Sequence, residues 1–307
     1  MNFKIKNIEE NIEVILIDDN DKIVAKAVCY LKNTPKSDGK NMGTIGEFET
    51  NNDKYGEILL KKCEEILKEK NINYIVTPMN GNTWNKYRTM NYTNGEELFL
   101  LENVNPIEHN KIFLNMGYKE LYTYTSNKGL IENAYESEAL RYAETVLDVE
   151  KIKIRKFNKE NYIEDLKKIY NISKNSFKKN PFYTNIPEED FIKQYEKYIK
   201  MIDDELVLIV EKEGNEIGFI FCIPDYQQLN YSKTIDTLIL KTIAVLPEYE
   251  EYAIGNILLS KIAKIAKKKN FKKWIFAFMY SNNTSQKMAK RNKTEKIREY
   301  VIYGKEI

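Results

Sequence analysis

Few residues in this chain have the chemistry of a nucleophile or a metal ligand in a useful setting. The three cysteines, Cys29, Cys63 and Cys222, lie far apart in apolar stretches. They lack metal-ligand spacing and read as buried free thiols. The single histidine, His109, has no second histidine and no serine or cysteine nucleophile near it. A catalytic triad or a histidine metal site is therefore unsupported, and a surface position is expected for it. The stretch with chemical content is 237–286. There a strand ending at Leu246-Pro247 leads through a short polar loop into a helix whose first turn holds Ala253-Ile254-Gly255-Asn256. In outline this is a phosphate cradle: free N–H groups and the dipole at a helix N-terminus suit a pyrophosphate. Small residues there let the phosphate approach the backbone.

The elements that must position this loop occur twice. In the first half, 12–17 and 23–31 read as strands about the turn Asp18-Asp19-Asn20-Asp21, followed by a strand at 44–49. The segment 56–70 sets Ile58, Leu59, Cys63, Ile66 and Leu67 on one helical face, and a strand follows at 74–79. In the second half, strands at 206–211 and 216–223 flank the turn Lys212-Glu213-Gly214-Asn215, and a long strand runs over 237–246. A helix at 256–269 turns Ile257, Leu258, Ile262, Ile265 and Ala266 inward, and 273–280 is the next strand. The stretch ILLKKCEEILKEKN from Ile58 aligns without a gap on ILLSKIAKIAKKKN from Ile257, with about half the positions identical, and Cys29 falls opposite Cys222. The shared element order points to an old internal duplication. Residues 129–150, rich in Glu and Ala, are expected to form a linker helix between domains at 1–128 and 151–307. With no Gly/Ser linker, the two domains should pack together.

Composition agrees with this picture. A chain of 307 residues, 42% hydrophobic and 31% charged, is an ordinary globular protein long enough for two domains. Lys+Arg is 48 and Asp+Glu 46, with the acids interleaved among the lysines and no basic block outside 261–273. This argues against a nucleic-acid partner. The lysines of the 256–269 helix are expected to form a solvated face, with contact to the 3′-phosphate of a nucleotide as the alternative. The beginning of the sequence lacks an apolar signal core, and no apolar run approaches a membrane span. The expectation is a cytoplasmic protein, monomer or homodimer, without membrane contact.

Val245-Leu246-Pro247-Glu248-Tyr249, then Ala253-Ile254-Gly255, then a helix and Asn282-Asn283-Thr284-Ser285, resemble motifs A and B of the GNAT (GCN5-related) N-acetyltransferase superfamily. Residues 205–225 are similar to the hairpin before motif A, and 297–307 to the family's closing strand, so the resemblance covers essentially all of 151–307. The first half, through 45–60 and 74–83, resembles more weakly the degenerate first repeat of tandem-GNAT bacterial proteins.

The resemblance implies an α/β (α+β) fold of two tandem GNAT-like domains, each a mixed, mostly antiparallel sheet flanked by helices. It further implies acetyl-CoA as acyl donor, no metal, and a small-molecule or peptide amine as acceptor, attacking the thioester directly in a ternary complex. Ile243, Ala244 and Val245 would pair with the pantetheine arm through their backbones, a main-chain N–H near Val245 polarising the thioester. Glu250, Ala253, Ile254, Gly255 and Asn256 would line the pyrophosphate site, with Asn282 and Ser285 across from it. The strands 237–246 and 273–280 would splay apart to admit the cofactor, and 176–191 would help shape the acceptor site.

Departures from the family pattern are visible. Glu250 stands where the family has an amide or basic residue, and Ala253 where it has glycine. A carboxylate about 4 Å from a phosphate would cost roughly 1–4 kcal/mol, unless Glu250 and Glu251 point to solvent. The usual general-acid tyrosine is replaced by Ala289. Tyr280 and Tyr303 are the substitutes, each also readable as packing, and Asp236 is the candidate base, also readable as a turn residue. The N-terminal copy lacks a comparable cradle; its Asn80-Gly81-Asn82-Thr83 either lines a cleft or makes a strand-end turn. The expected activity is N-acyl transfer; the alternative is a degenerate acyl-CoA sensor or scaffold.

Overall fold

The computed structural model describes residues 1–307 except Asp38 and Val104. The first half opens as an antiparallel meander of β1 (Asn2–Ile8), β2 (Asn11–Ile17), β3 (Ile23–Tyr30) and β4 (Met42–Thr50). The carboxylate of Asp18 makes the second turn, accepting from the N–H groups of Asn20 and Lys22 at 2.9 Å. Helix α1 (Asp53–Glu69) then crosses over to β5 (Tyr74–Thr77), which runs parallel to β4. Leu59, Leu60, Cys63, Ile66 and Leu67 form the buried stripe of α1. After β6 (Thr89–Thr93), α2 (His109–Asn115) and β7 (Lys119–Leu130), α3 (Glu138–Val149) joins the halves. The helix thus occupies part of the expected 129–150; Gly129 and Leu130 still belong to β7.

The second half runs β8 (Ile152–Lys156), α4 (Tyr162–Ser176), α5 (Glu188–Glu196), β9 (Val207–Lys212), β10 (Asn215–Pro224) and β11 (Thr237–Val245). Helix α6 (Ile254–Lys268) crosses to β12 (Lys273–Tyr280), parallel to β11, and α7 (Thr284–Arg291) and β13 (Glu295–Glu306) end the chain. All other strand pairings among the described residues are antiparallel. Each half therefore has one strand–helix–strand crossover inside an antiparallel sheet.

The halves share one continuous sheet, in the order β1-β2-β3-β4-β5-β13-β7-β12-β11-β10-β9-β8. The last strand, β13, lies between β5 and β7, while β7 pairs with β12. Thus each half is completed by a strand from the other side of α3. A buried ion pair, Arg298 Nε to Glu102 at 3.1 Å, ties β13 to the segment before α2.

Four cores result among the described residues: one under α1, one between the second half of the sheet and α6, one between that sheet and α4/α5, and one where Tyr74, Met90, Tyr124 and Tyr300 meet around β5, β6, β7 and β13. His109 is buried, contrary to the surface position expected of it. Its ring meets Phe48 edge-on at 5.0 Å, and burial pushes its pKa down. The three cysteines are free and buried. Among the described residues, no helix is long and apolar enough to cross a membrane.

Candidate functional site

The parallel pairing of β11 with β12 ends at Leu240↔Phe276. Two irregularities open the strands beyond it. On the β10 side, Phe221 faces Thr242 and Cys222 faces Leu240, so Lys241 is the extra residue of a bulge. On the other side, Phe278 takes a positive φ of 56°, its N–H donates to Ser126 Oγ at 3.0 Å, and β12 shifts register against β7. Lys241–Val245 therefore have an edge without a strand partner. A cavity of about 260 Å³ lies in the gap. Its walls come from both faces of the sheet: Phe157, Ile169 and Phe221 on the α4/α5 side, Met288 on the α6/α7 side.

Helix α6 begins beside this gap. Ala253 precedes it at φ 55°, ψ 21°, in the left-handed region, and no side chain caps the helix. The N–H groups of Ile254 and Gly255 have no main-chain acceptor among the described residues, so two first-turn donors are available. Ile254 is buried and anchors the turn. A Cβ on Gly255 would stand 2.7 Å from the Met288 methyl, so glycine keeps the passage between α6 and α7 clear. Glu250 and Glu251 are exposed, and Asn256 is half-buried.

Across the gap, Asn282 is exposed and donates to the Tyr280 hydroxyl at 3.3 Å. Asn283 caps α7, its carbonyl oxygen accepting from Thr284 N at 2.7 Å. Ser285 lines the cavity with a buried hydroxyl that has no partner among the described residues. Ile243 lines the cavity as well; Ala244 is buried on the α4/α5 side, and the Val245 carbonyl accepts from Ser176 Oγ at 3.1 Å.

Of the three catalytic candidates, the structure brings only Tyr280 to the cavity. Tyr303 is fully buried in the other half's core, its hydroxyl donating to Asn110 Oδ1 at 3.0 Å and its ring 5.3 Å from Phe113. It lies there because β13 inserts beside β5. Asp236 sits at the opposite, paired end of β11, bonded to Gln228 and Thr237 at 2.8 Å and to Lys273 at 3.1 Å. Partial burial by itself would raise its pKa. The hydrogen bonds and the Lys273 charge outweigh that and hold it at about 2. A carboxylate so satisfied is a poor base, and its role is to pin the start of β11.

Sequence reasoning named 176–191 as shaping the acceptor site and offered Thr83 as a cleft residue, but missed Trp84, Tyr87, Tyr124 and Lys241. Asn80 accepts from Glu47 N–H of β4 and Asn82 makes a turn bond with Trp84 N–H, while Thr83, Trp84 and Tyr87 from the same loop line the cavity, joined by Tyr124 of β7. Trp84 Nε1 donates to the Thr184 carbonyl at 2.6 Å, fastening the loop to the 177–187 segment, whose Phe177, Asn180 and Tyr183 also line the site. Lys241 was legible as the one charge interrupting Leu238-Ile239-Leu240 and Thr242-Ile243-Ala244-Val245. Among the described residues, none that lines the cavity is Asp or Glu and no cluster of potential metal ligands exists.

Residues 166–292 match the family model described as acetyltransferase (GNAT) family. The chain also superposes on a GCN5-related glucosamine N-acetyltransferase region of a fungal multi-domain GH3 β-N-acetylglucosaminidase, with 12% identity, a TM-score of 0.58, and coverage of 96% of this chain and 33% of that one. A GCN5-related N-acetyltransferase from Sphaerobacter thermophilus gives 12% identity and a TM-score of 0.56, over 96% of this chain and 80% of that one. A tandem GNAT protein from the clavulanic acid biosynthesis pathway gives 8% identity and a TM-score of 0.53, over 96% and 82%. At such identities the likeness is one of fold, and the chain spans only a third of the first of these structures. No curated protein matches the chain.

Proposed function

We propose, from the match of residues 166–292 to the acetyltransferase (GNAT) family, that the protein transfers an acetyl or longer acyl group from CoA to a primary amine. The observation that carries this is the coincidence, at one place, of an open β11 edge and an uncapped α6 N-terminus. The first offers main-chain groups to the amide-bearing pantetheine arm. The second offers the amides of Ile254 and Gly255 to the pyrophosphate. The orphaned Ser285 hydroxyl supplies a further bond to the arm. Glu250 and Glu251, being exposed, leave the phosphate site free.

In the reaction the amine nitrogen attacks the thioester carbonyl carbon, forming C–N as C–S breaks. The proton lost from nitrogen passes to water and the thiolate is released as CoA thiol, aided by Tyr280, a phenol that lines the gap at the end of β12. A main-chain N–H on the Lys241–Val245 edge polarises the carbonyl. Holding both reactants in one slot supplies much of the acceleration.

The absence of any carboxylate among the lining residues favours one second reading, a non-catalytic acyl-CoA sensor. Calorimetric titration with acetyl-CoA tests the donor site: saturable binding lost in Gly255→Glu is expected, and no binding at millimolar concentration overturns the proposal. Turnover against an amine panel separates the enzyme from the sensor.

A further inference from the structure

The acceptor side of the cavity has an electrostatic imbalance. Lys241, the bulge residue of β11, is half-buried, lines the cavity, and has no ion pair or hydrogen bond among the described residues. Arg88 lies behind the same wall and is more than nine-tenths buried. Its guanidinium carbon is 4.1, 4.6 and 4.5 Å from the ring centroids of Tyr87, Tyr124 and Phe278, all three of which line the cavity. Its Nη1 has no partner among the described residues. The two cations share the Phe278 ring, with Lys241 Nζ 5.7 Å from its centroid. Burial, then the Arg88 charge, push the Lys241 ammonium down to about 8. Two desolvated cations without a counter-charge are costly, and a bound anion removes the cost.

The remaining walls are apolar and aromatic, with Trp84, Tyr195, Phe219 and Phe221 among them. Among the neutral polar groups that also line it, the buried hydroxyls of Tyr183 and Ser285 have no partner among the described residues. A polyamine or aminoglycoside would meet only positive charge here.

Resting on the acyl-transfer reading, we infer that this cavity takes a carboxylate-bearing reactant, its carboxylate held at Lys241 with Arg88 behind it and its apolar body against the aromatic walls. The carboxylate belongs either to the acceptor amine, as in an apolar amino acid, or to the acyl group, as in a dicarboxylic acyl-CoA. The degenerate half is then part of the specificity machinery, since Arg88, Trp84 and Tyr87 all come from it.

Two matched pairs of ligands test this by calorimetry on the full chain and on Lys241→Gln. N-acetylphenylalanine and N-acetylphenethylamine differ by a carboxylate on the acceptor side and are titrated with and without CoA. Succinyl-CoA and acetyl-CoA differ by one on the acyl side. In one pair the acid is expected to bind about ten- to a hundred-fold tighter, the range of a charged hydrogen bond, with the preference falling below about threefold in Lys241→Gln. The responding pair identifies the reactant. No preference in either pair, or one that survives Lys241→Gln, overturns the inference. Acetyl-CoA binding itself reports on the donor site: its loss sinks the acyl-transfer reading, while its persistence without a carboxylate preference sinks only this one.

Discussion

The two halves carry the same strand–helix–strand crossover, yet only one leaves a slot in it. In the second half, β11 and β12 part beyond Leu240↔Phe276 and the gap stays open. In the first half, β4 and β5 are paired over Met42–Thr44, and the chain after β5 turns back to fill the place beyond. Met79 N–H and Thr77 Oγ1 both donate to the Ile45 carbonyl, at 2.9 and 3.0 Å, and Glu47 N–H donates to Asn80 Oδ1 at 3.0 Å. The main-chain groups that a pantetheine arm would use are thus satisfied internally. The helix starts differ in the same sense. Asn52 Oδ1 accepts from Tyr55 N–H at 3.0 Å and caps α1, whereas α6 has no cap. A crossover becomes a binding site when its backbone is left unsatisfied, and a structural element when its own chain completes it.

The largest effect expected is at Gly255, which the helix alignment sets opposite Gly56. Gly255→Glu puts a carboxylate and its bulk at the α6 amides, and acetyl-CoA affinity should fall more than about a hundred-fold with the melting temperature nearly unchanged. Gly56 faces the core instead: a Cβ there would stand 2.8 Å from Ile112 Cδ1. Gly56→Ala should therefore lower stability by about 1–3 kcal/mol and leave acetyl-CoA affinity alone. The reverse pattern, read by calorimetry and thermal melts, would break the comparison.

Next in size is Gly46, where a Cβ would meet Asn80 Oδ1 at 2.4 Å and the Met79 carbonyl at 2.6 Å. These are the atoms that close the first-half slot, and part of them is backbone that cannot move aside. Gly46→Val is expected to cost about 3 kcal/mol in urea melts, near the upper end for overpacking. A variant of unchanged stability would mean that the slot is not held shut.

Much of this architecture was legible beforehand. Hydrophobic periodicity located α1, α6 and the strands around them, because each buries one regular face. The duplicated order and the loop 247–256 pointed to the donor side for the same reason, since the geometry there is local in sequence. On the acceptor side the segment 176–191 was legible, but the meeting of Arg88 with Lys241 was not. Arg88 and Lys241 are 153 positions apart by their numbers, and only the continuous sheet sets them against one ring. The packing alternative for Tyr303 could not be chosen from sequence, because nothing near it announces that β13 inserts between β5 and β7. Asp236 was left between base and turn residue, because a lone acid before a strand looks the same whether or not Gln228 and Lys273 wait to bind it.

A smaller effect tests the departures from the family pattern at the α6 start. Ala253 holds φ 55° without glycine's freedom, at a cost of roughly 1–2 kcal/mol. Ala253→Gly should recover about 1 kcal/mol of stability in thermal or urea melts. If acyl-CoA uses this turn as it stands, affinity changes by less than about threefold. Affinity rising by orders of magnitude would instead show that the alanine turn is a damaged cradle.

The smallest expected change probes the reason for the first half's silence. Asn52→Ala removes the side-chain acceptor from Tyr55 N–H and frees the first turn of α1, costing about 1 kcal/mol of stability. The helix start then resembles that of α6, with free donors and a favourable dipole. If the filled slot beside β4 is what excludes a ligand, acetyl-CoA binding to Asn52→Ala keeps a stoichiometry of one. A second site appearing in the titration would mean that the cap alone kept the first half empty, and that Met79 and Asn80 can be displaced. Because the cap and the slot filler are separate groups, the stoichiometry of this one variant assigns the loss of binding to one or the other.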